Sequence, residues 1–257
     1  MLFALITGAS KGIGRSIAEN LAAKGYSLLL IARSENLLQQ AKEEIENRYK
    51  VDVRYLSVDL STATAAQQVF DWCGQNNFPV SVLVNNAGYG LSGAFESYPL
   101  EQHLNMVQVN CLTLVQLTHL FLPRLKQQTK GYILNIASSA AYQAVPYLSL
   151  YAASKSFVLQ FSRGLDYELR KSNVSVTCIS PGATDTDFVT RAKIGAKGLK
   201  AADKVNMTPE QVAKIAVDSL FQKKTEVITG AVNKIGGFFV WLLPKKFIEG
   251  TAAKLYQ

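Results

Sequence analysis

Soft metal ligands are scarce in this 257-residue chain: two histidines and three cysteines. His103 and His119 fall within one helical pattern and have no partner at ligand spacing, so no metal site is expected. Cys73, Cys111 and Cys178 are odd in number, far apart and set in apolar surroundings. That suits buried, reduced thiols better than disulfides, and makes a cytoplasmic location the expectation. Low-complexity tracts and repeats of fixed period are also missing. The opening MLFALITGAS has no charged leader and reaches a glycine too soon for a signal-peptide core, so no targeting signal is expected. Acidic residues are the minority charge, 19 against 27 Lys and Arg, for a net charge of +8. Such an excess attracts nucleic acid, anionic membranes or phosphorylated small molecules. No basic run interleaved with aromatics appears in the body of the chain, so nucleic acid is not an expected partner.

Present instead are apolar runs of strand length alternating with segments of helical period. The runs are LFALIT, SLLLIA, VDVRYLSV, VSVLVN, GYILNIA, VSVTCIS and TEVITG. Helical patterns cover 12–24, 34–49, 62–76, 100–127 and 149–171, with another after Pro209. Continuously apolar strands separated by helices predict an α/β protein: a single doubly wound, Rossmann-type domain over residues 1–257, its parallel sheet of about seven strands covered by helices on both faces. Ligands of such sheets bind at the carboxyl ends of the strands.

Directly after the first strand stands Thr7-Gly8-Ala9-Ser10-Lys11-Gly12-Ile13-Gly14. Glycines there permit a tight turn and let backbone N–H groups approach a pyrophosphate at the N-terminus of the next helix. The spacing G-x-x-x-G-x-G departs from the commonest dinucleotide fingerprint, and a tight turn without ligand is the blander explanation. The second strand ends in Ala32-Arg33-Ser34, where NAD sites carry an acidic residue. Arg33, with Lys11 in the loop, suits the extra phosphate of NADP instead. Asp59 after the third strand could bond the adenine amine or merely cap a helix, and Asn85-Asn86-Ala87-Gly88 follows the fourth.

Tyr151 and Lys155 lie four apart near the start of a helix and so share a face. A neighbouring ammonium lowers the pKa of a phenol, which suits proton transfer. Tyr167 and Lys171 repeat the spacing, and each tyrosine has a serine 13 residues upstream, Ser138 and Ser154. Location separates them: Ser138 follows the strand GYILNIA, whereas Ser154 lies inside the helix, about 20 Å from Tyr167. Tyr167 and Lys171 are therefore expected at the surface.

Taken together, Thr7-Gly8-x-x-x-Gly12-Ile13-Gly14, Asn85-Asn86-Ala87-Gly88, Ser138, Tyr151-x-x-x-Lys155 and Pro181-Gly182 resemble the short-chain dehydrogenase/reductase family over residues 2 to about 230. The resemblance implies catalytic roles for Asn110, Ser138, Tyr151 and Lys155. Tyr151 would exchange the proton and Ser138 orient the substrate oxygen, with Ser139 as its rival. Lys155 would bond the nicotinamide ribose, and Asn110 would hold a water linking Lys155 to solvent, unless it is only a helix-bending polar residue. NADP(H) would be bound through Gly8, Ser10, Lys11, Gly12, Ile13, Gly14, Arg33, Asp59, Leu60, Asn86, Ala87, Gly88, Tyr151, Lys155, Pro181, Gly182, Thr184 and Thr186. Residues 187–207 would form the loop closing over the substrate; their Lys193, Lys197, Lys200 and Lys204 could meet an acidic substrate or simply face solvent.

The implied activity is NADPH-dependent, reversible reduction of a ketone or aldehyde, with apolar 3-oxoacyl or steroid-like compounds as candidate substrates. The alternative is a non-catalytic NADP(H)-binding regulatory or sensor protein. A homodimer or homotetramer is expected through the apolar helices at 100–127 and 149–171. The apolar, basic extension 231–257 contains six consecutive apolar residues, Phe238 to Leu243, too few to span a bilayer. It must be covered, by the domain or another subunit first, with a substrate entrance or a membrane surface as the remaining options.

Overall fold

Phe3 and Leu5 pack into one apolar cluster while Ala4 and Ile6 pack into another, so the first strand is buried on both faces. The same alternation places Leu29 and Ile31 of the next strand on one side and Leu28 and Leu30 on the other. Two hydrophobic faces demand two helical layers.

The computed structural model describes residues 2–184 and 206–256. Within them, β1 (Phe3–Thr7), β2 (Ser27–Ala32), β3 (Val53–Ser57), β4 (Val80–Asn85), β5 (Gly131–Ile136), β6 (Val174–Ser180) and β7 (Glu226–Ile228) form one sheet. Its order is β3-β2-β1-β4-β5-β6-β7 and every pairing is parallel. Helices α1 (Gly12–Ala22), α2 (Glu35–Tyr49) and α7 (Pro209–Phe221) bury Ile17, Leu38 and Val217 in the cluster containing Ile6. Helices α3 (Ala65–Gln75), α5 (Thr113–Lys126) and α6 (Ser149–Leu169) bury Val69, Phe121 and Leu169 on the opposite side. Strand order reverses between β1 and β4, which opens a crevice at their carboxyl ends.

Two features exceed the sequence expectation. Helix α4 (Leu100–Val107) runs into α5 through a π-helical turn, Gln108–Leu112. The extension folds as two helices, α8 (Ala231–Leu242) and α9 (Lys245–Tyr256). Helix α8 packs on a 3-10 turn at Ser139–Tyr142, and Ala252 of α9 is buried beside Met106, Val145, Leu148 and Tyr151.

Candidate active site

The loop after β1 turns through left-handed backbone at Gly8 (φ 66°) and Gly12 (φ 58°), which glycine adopts at no steric cost. It is held from behind. The Thr7 hydroxyl donates to Val84 O at 3.2 Å and accepts from the N–H groups of Asn86 (3.0 Å) and Ala87 (3.1 Å). The Asn86 amide donates to Thr7 O at 2.9 Å and Gly8 O at 3.2 Å. A Cβ on Gly14 would overlap the Gly8 carbonyl and the Asn86 amide, so Gly14 is needed for α1 to dock on the loop at all, before any ligand arrives. Lys11, with extended backbone, precedes the first helical turn, whose N–H groups have no intrahelical acceptor.

This loop is one end of a cleft of about 820 Å³ that extends along the strand ends. Gly8, Ser10, Lys11, Gly12, Ile13 and Gly14 line it from β1 and α1, and Arg33 from the end of β2. Arg33 is exposed and its carbonyl accepts from Ser57 Oγ at 2.9 Å. From β3 come Asp59 and Leu60. Asp59 accepts from Ser61 N at 3.0 Å in a local turn; α3 begins only at Ala65, so Asp59 does not cap it. Leu60 is buried, and its carbonyl accepts from Thr113 Oγ1 at 2.8 Å, which fixes this strand end against α5. Asn86, Ala87 and Gly88 line the cleft after β4, and Pro181, Gly182 and Thr184 after β6. Ser139 N donates to Pro181 O at 2.7 Å, and Thr184 bridges to Met207. Thr186 lies outside the described residues, as do Lys193, Lys197, Lys200 and Lys204.

At the other end of the cleft stand Ser138, Tyr151 and Lys155. Ser138 accepts at Oγ from Ala140 N at 3.1 Å, capping the 3-10 turn, an arrangement that leaves its hydroxyl hydrogen for donation. Tyr151, in the first turn of α6, is 8% exposed. Lys155 Nζ lies 5.9 Å from the Tyr151 ring centre and donates to Ile136 O at 2.8 Å. Burial pushes its pKa down from 10.5 to about 8. Ser139 lines the same cleft.

Asn110 stands behind this group rather than in it. From the π turn its side chain accepts from Tyr89 N at 3.0 Å and donates to Tyr89 O and Ser154 Oγ, both at 3.0 Å. A Cβ on Gly88 would come within 3.0 Å of Asn110 Oδ1 and 3.2 Å of Lys155 Nζ, so Gly88 leaves the space between them open. Tyr167, 67% exposed, and exposed Lys171 lie on the outer surface of the domain. Tyr89, Ala140, Leu148 and Pro209 also line the cleft; only the folded proximity of four separate segments reveals them.

Cradle, basic end and reacting end suit a pyridine dinucleotide. The left-handed glycines and helix start can take the pyrophosphate, Lys11 and Arg33 a phosphate near the adenosine, and the space beside Lys155 the nicotinamide ribose. Among the described residues no cluster of metal-ligating side chains occurs.

A model of the short chain dehydrogenase family matches residues 2–197. The chain is 36% identical over 183 residues to the Very-long-chain 3-oxoacyl-CoA reductase-B of Danio rerio; the match takes in 70% of this chain and spans 58% of the reductase's length. A solved 7beta-hydroxysteroid dehydrogenase structure superposes with a TM-score of 0.83 at 27% identity, covering 92% of this chain and 90% of that one. A short-chain dehydrogenase from Sphingobium yanoikuyae in complex with NADPH gives 0.82 at 28% identity, covering 94% and 95%.

Proposed function

The chain belongs to the short-chain dehydrogenase/reductase family, and from that premise we propose that it is an NADPH-dependent reductase of ketones or aldehydes, reversible toward the alcohol. The observation that carries this reading is one continuous cleft with a glycine phosphate cradle and basic side chains at one end and Ser138, Tyr151 and Lys155 at the other. When bound, NADPH supplies the hydride that adds to the carbonyl carbon. Tyr151 gives its phenolic proton to the carbonyl oxygen, and Ser138 donates a hydrogen bond that holds this oxygen in place. Lys155 keeps a positive charge close to the tyrosine ring and favours its phenolate once the proton has left. Asn110 acts as a positioning residue, since it grips both backbone polar groups of Tyr89 at the cleft wall.

Apolar substrates fit best. Tyr89, Ala140 and Leu148 line the reacting end, and the likeness to a 3-oxoacyl-CoA reductase and a hydroxysteroid dehydrogenase supports the same class. Preference for NADPH rests on Arg33 and Lys11, two cations that line the cleft, with Arg33 at the end of β2 where an NAD site would carry an acidic residue. A homo-oligomer formed through the outer faces of α4, α5 and α6 completes the proposal.

Tyr151→Phe keeps the ring and removes the proton donor. Turnover on a carbonyl panel should fall by roughly 100- to 10,000-fold while NADPH fluorescence titration shows binding retained. NADPH binding by the unaltered chain without turnover on any carbonyl would instead make it a regulatory binding protein. Arg33→Asp should reverse the cofactor preference; the ratio of kcat/KM for NADPH over NADH is the measurement, and an unchanged ratio would remove Arg33 from the assignment.

A further inference from the structure

Helices α8 and α9 are joined by Leu243 and Pro244. Their inner side is committed to the domain: Asn233, Gly237 and Val240 of α8 are half-buried, and Ala252 of α9 is 4% exposed. Their outer side is apolar and open. Val232, Ile235, Phe239 and Leu242 follow a 3-4-3 spacing along one face of α8 and are 59%, 58%, 47% and 57% exposed, and Phe247 at the start of α9 is 64% exposed. Lys234, Lys245, Lys246 and Lys254 of the same two helices are all exposed. The sole acidic residue from 231 to 257, Glu249, is half-buried.

We infer that these two helices dock the protein on the surface of an anionic lipid bilayer. An apolar face on two helices with four exposed lysines needs an occupant that is both greasy and negative. A second copy of the chain fits poorly, because a twofold contact sets the same patch against itself and brings lysines toward lysines. Anionic headgroups neutralise those lysines, and the acyl boundary takes the side chains between them. Length excludes a span: 12 residues of α8 reach about 18 Å, against about 30 Å of hydrocarbon. The two helices therefore lie in the interface plane.

Their inner side touches the reacting end. Ala252 packs in the cluster that contains Tyr151 and Leu148, and the position of a Cβ on Gly182 is filled by the Asn233 side chain. Resting on the reductase reading, a carbonyl compound dissolved in the bilayer would then meet the cleft without crossing water.

Co-sedimentation of the full chain with vesicles tests the docking. Phosphatidylcholine vesicles containing about one-third phosphatidylserine should carry the protein down, and pure phosphatidylcholine should do so far less. The triple variant Lys234→Glu/Lys245→Glu/Lys246→Glu should weaken binding by roughly 100-fold, at about fivefold per lost lysine before the added negative charges count. Phe239→Ser/Phe247→Ser should leave only a residual association that salt abolishes. Circular dichroism melts of both variants should match the parent, since the altered side chains are exposed. Two results overturn the inference. One is a protein that stays in the supernatant with both vesicles; the other is a dimer of the parent chain that Phe239→Ser/Phe247→Ser dissolves while vesicle binding is unchanged. Neither readout requires turnover, so failure of the reductase reading registers separately, in the carbonyl assays.

Discussion

Lys155 shows how a single residue sets the balance between stability and chemistry. The residue is 5% exposed and its ammonium donates to one carbonyl, Ile136 O, so burial favours the neutral amine and lowers the pKa to about 8. The folded chain therefore gives up the proton more readily than the unfolded chain, whose lysine titrates near 10.5. Between about pH 8 and 10.5 the unfolded state binds more protons, so stability rises with pH across that window; below it the full cost of the buried charge is present. That cost is about 3 kcal/mol at 1.36 kcal/mol per pH unit. Lys155→Met should accordingly narrow its stability gap to the parent as pH rises from 8 to 10.5, in the direction of the parent gaining, as read from urea melts at several pH values. Carbonyl reduction by the parent should decline as pH climbs through about 8, because the charge that favours the Tyr151 phenolate is lost there; a flat pH–rate profile from 7 to 9 would contradict this role. The thiols behave oppositely. Burial pushes Cys73 and Cys178 up to about 12, which keeps both protonated and unreactive at neutral pH.

At the scale of elements, the strands and the sheet-covering helices were legible because each announces itself by a run or a period. All seven apolar runs are strands, and TEVITG, the least apolar of them, gives only the three residues of β7. The π turn was not legible. One extra residue in a helix shifts the buried positions from Met106 to Asn110, Cys111 and Leu114, a change too small to break the pattern of a 27-residue helical stretch. Its effect is large, because the turn delivers the Asn110 amide to the backbone of Tyr89 and to Ser154. Sequence could name Asn110 only by resemblance, as a water holder; what the structure shows is a direct grip on the cleft wall. Gly14 has a similar history: its motif suggests a ligand contact, while its surroundings show a docking point for α1. Asn110→Ala strands buried partners, at about 1–3 kcal/mol for an unsatisfied group. A loss of about 2 kcal/mol in unfolding free energy without cofactor is expected, with kcat reduced more than KM is raised. A variant with parental stability would mean that the Tyr89 clamp contributes nothing.

For the whole molecule, the doubly wound order follows from strands apolar on both faces, and the crevice between β1 and β4 follows from that order. What sequence left open was which surfaces stay uncovered, since that depends on how distant segments pack. The extension illustrates it: glycines at 236 and 237 and Pro244 weaken any helical signal, yet two helices form because one side of each finds the domain. A second apolar face lies elsewhere, with Leu104 of α4 58% exposed, Leu112 of the π turn 49% and Phe157 of α6 43%. The 27-residue stretch Leu100–Lys126 is long and apolar enough to cross a bilayer, but Leu117, Phe121 and Leu125 commit its inner face to the core. Its outer face is the one we propose for a second copy, since long apolar helices can pair with their own symmetry mates over a wide area. Leu112→Lys/Phe157→Lys should therefore convert an oligomer to monomer by light scattering. Because α8 and α9 carry a separate surface, the same variant should still sediment with anionic vesicles. If one pair of lysines abolished both association and vesicle binding, the two faces would be parts of a single oligomeric surface, and lipid would act only on the assembled form.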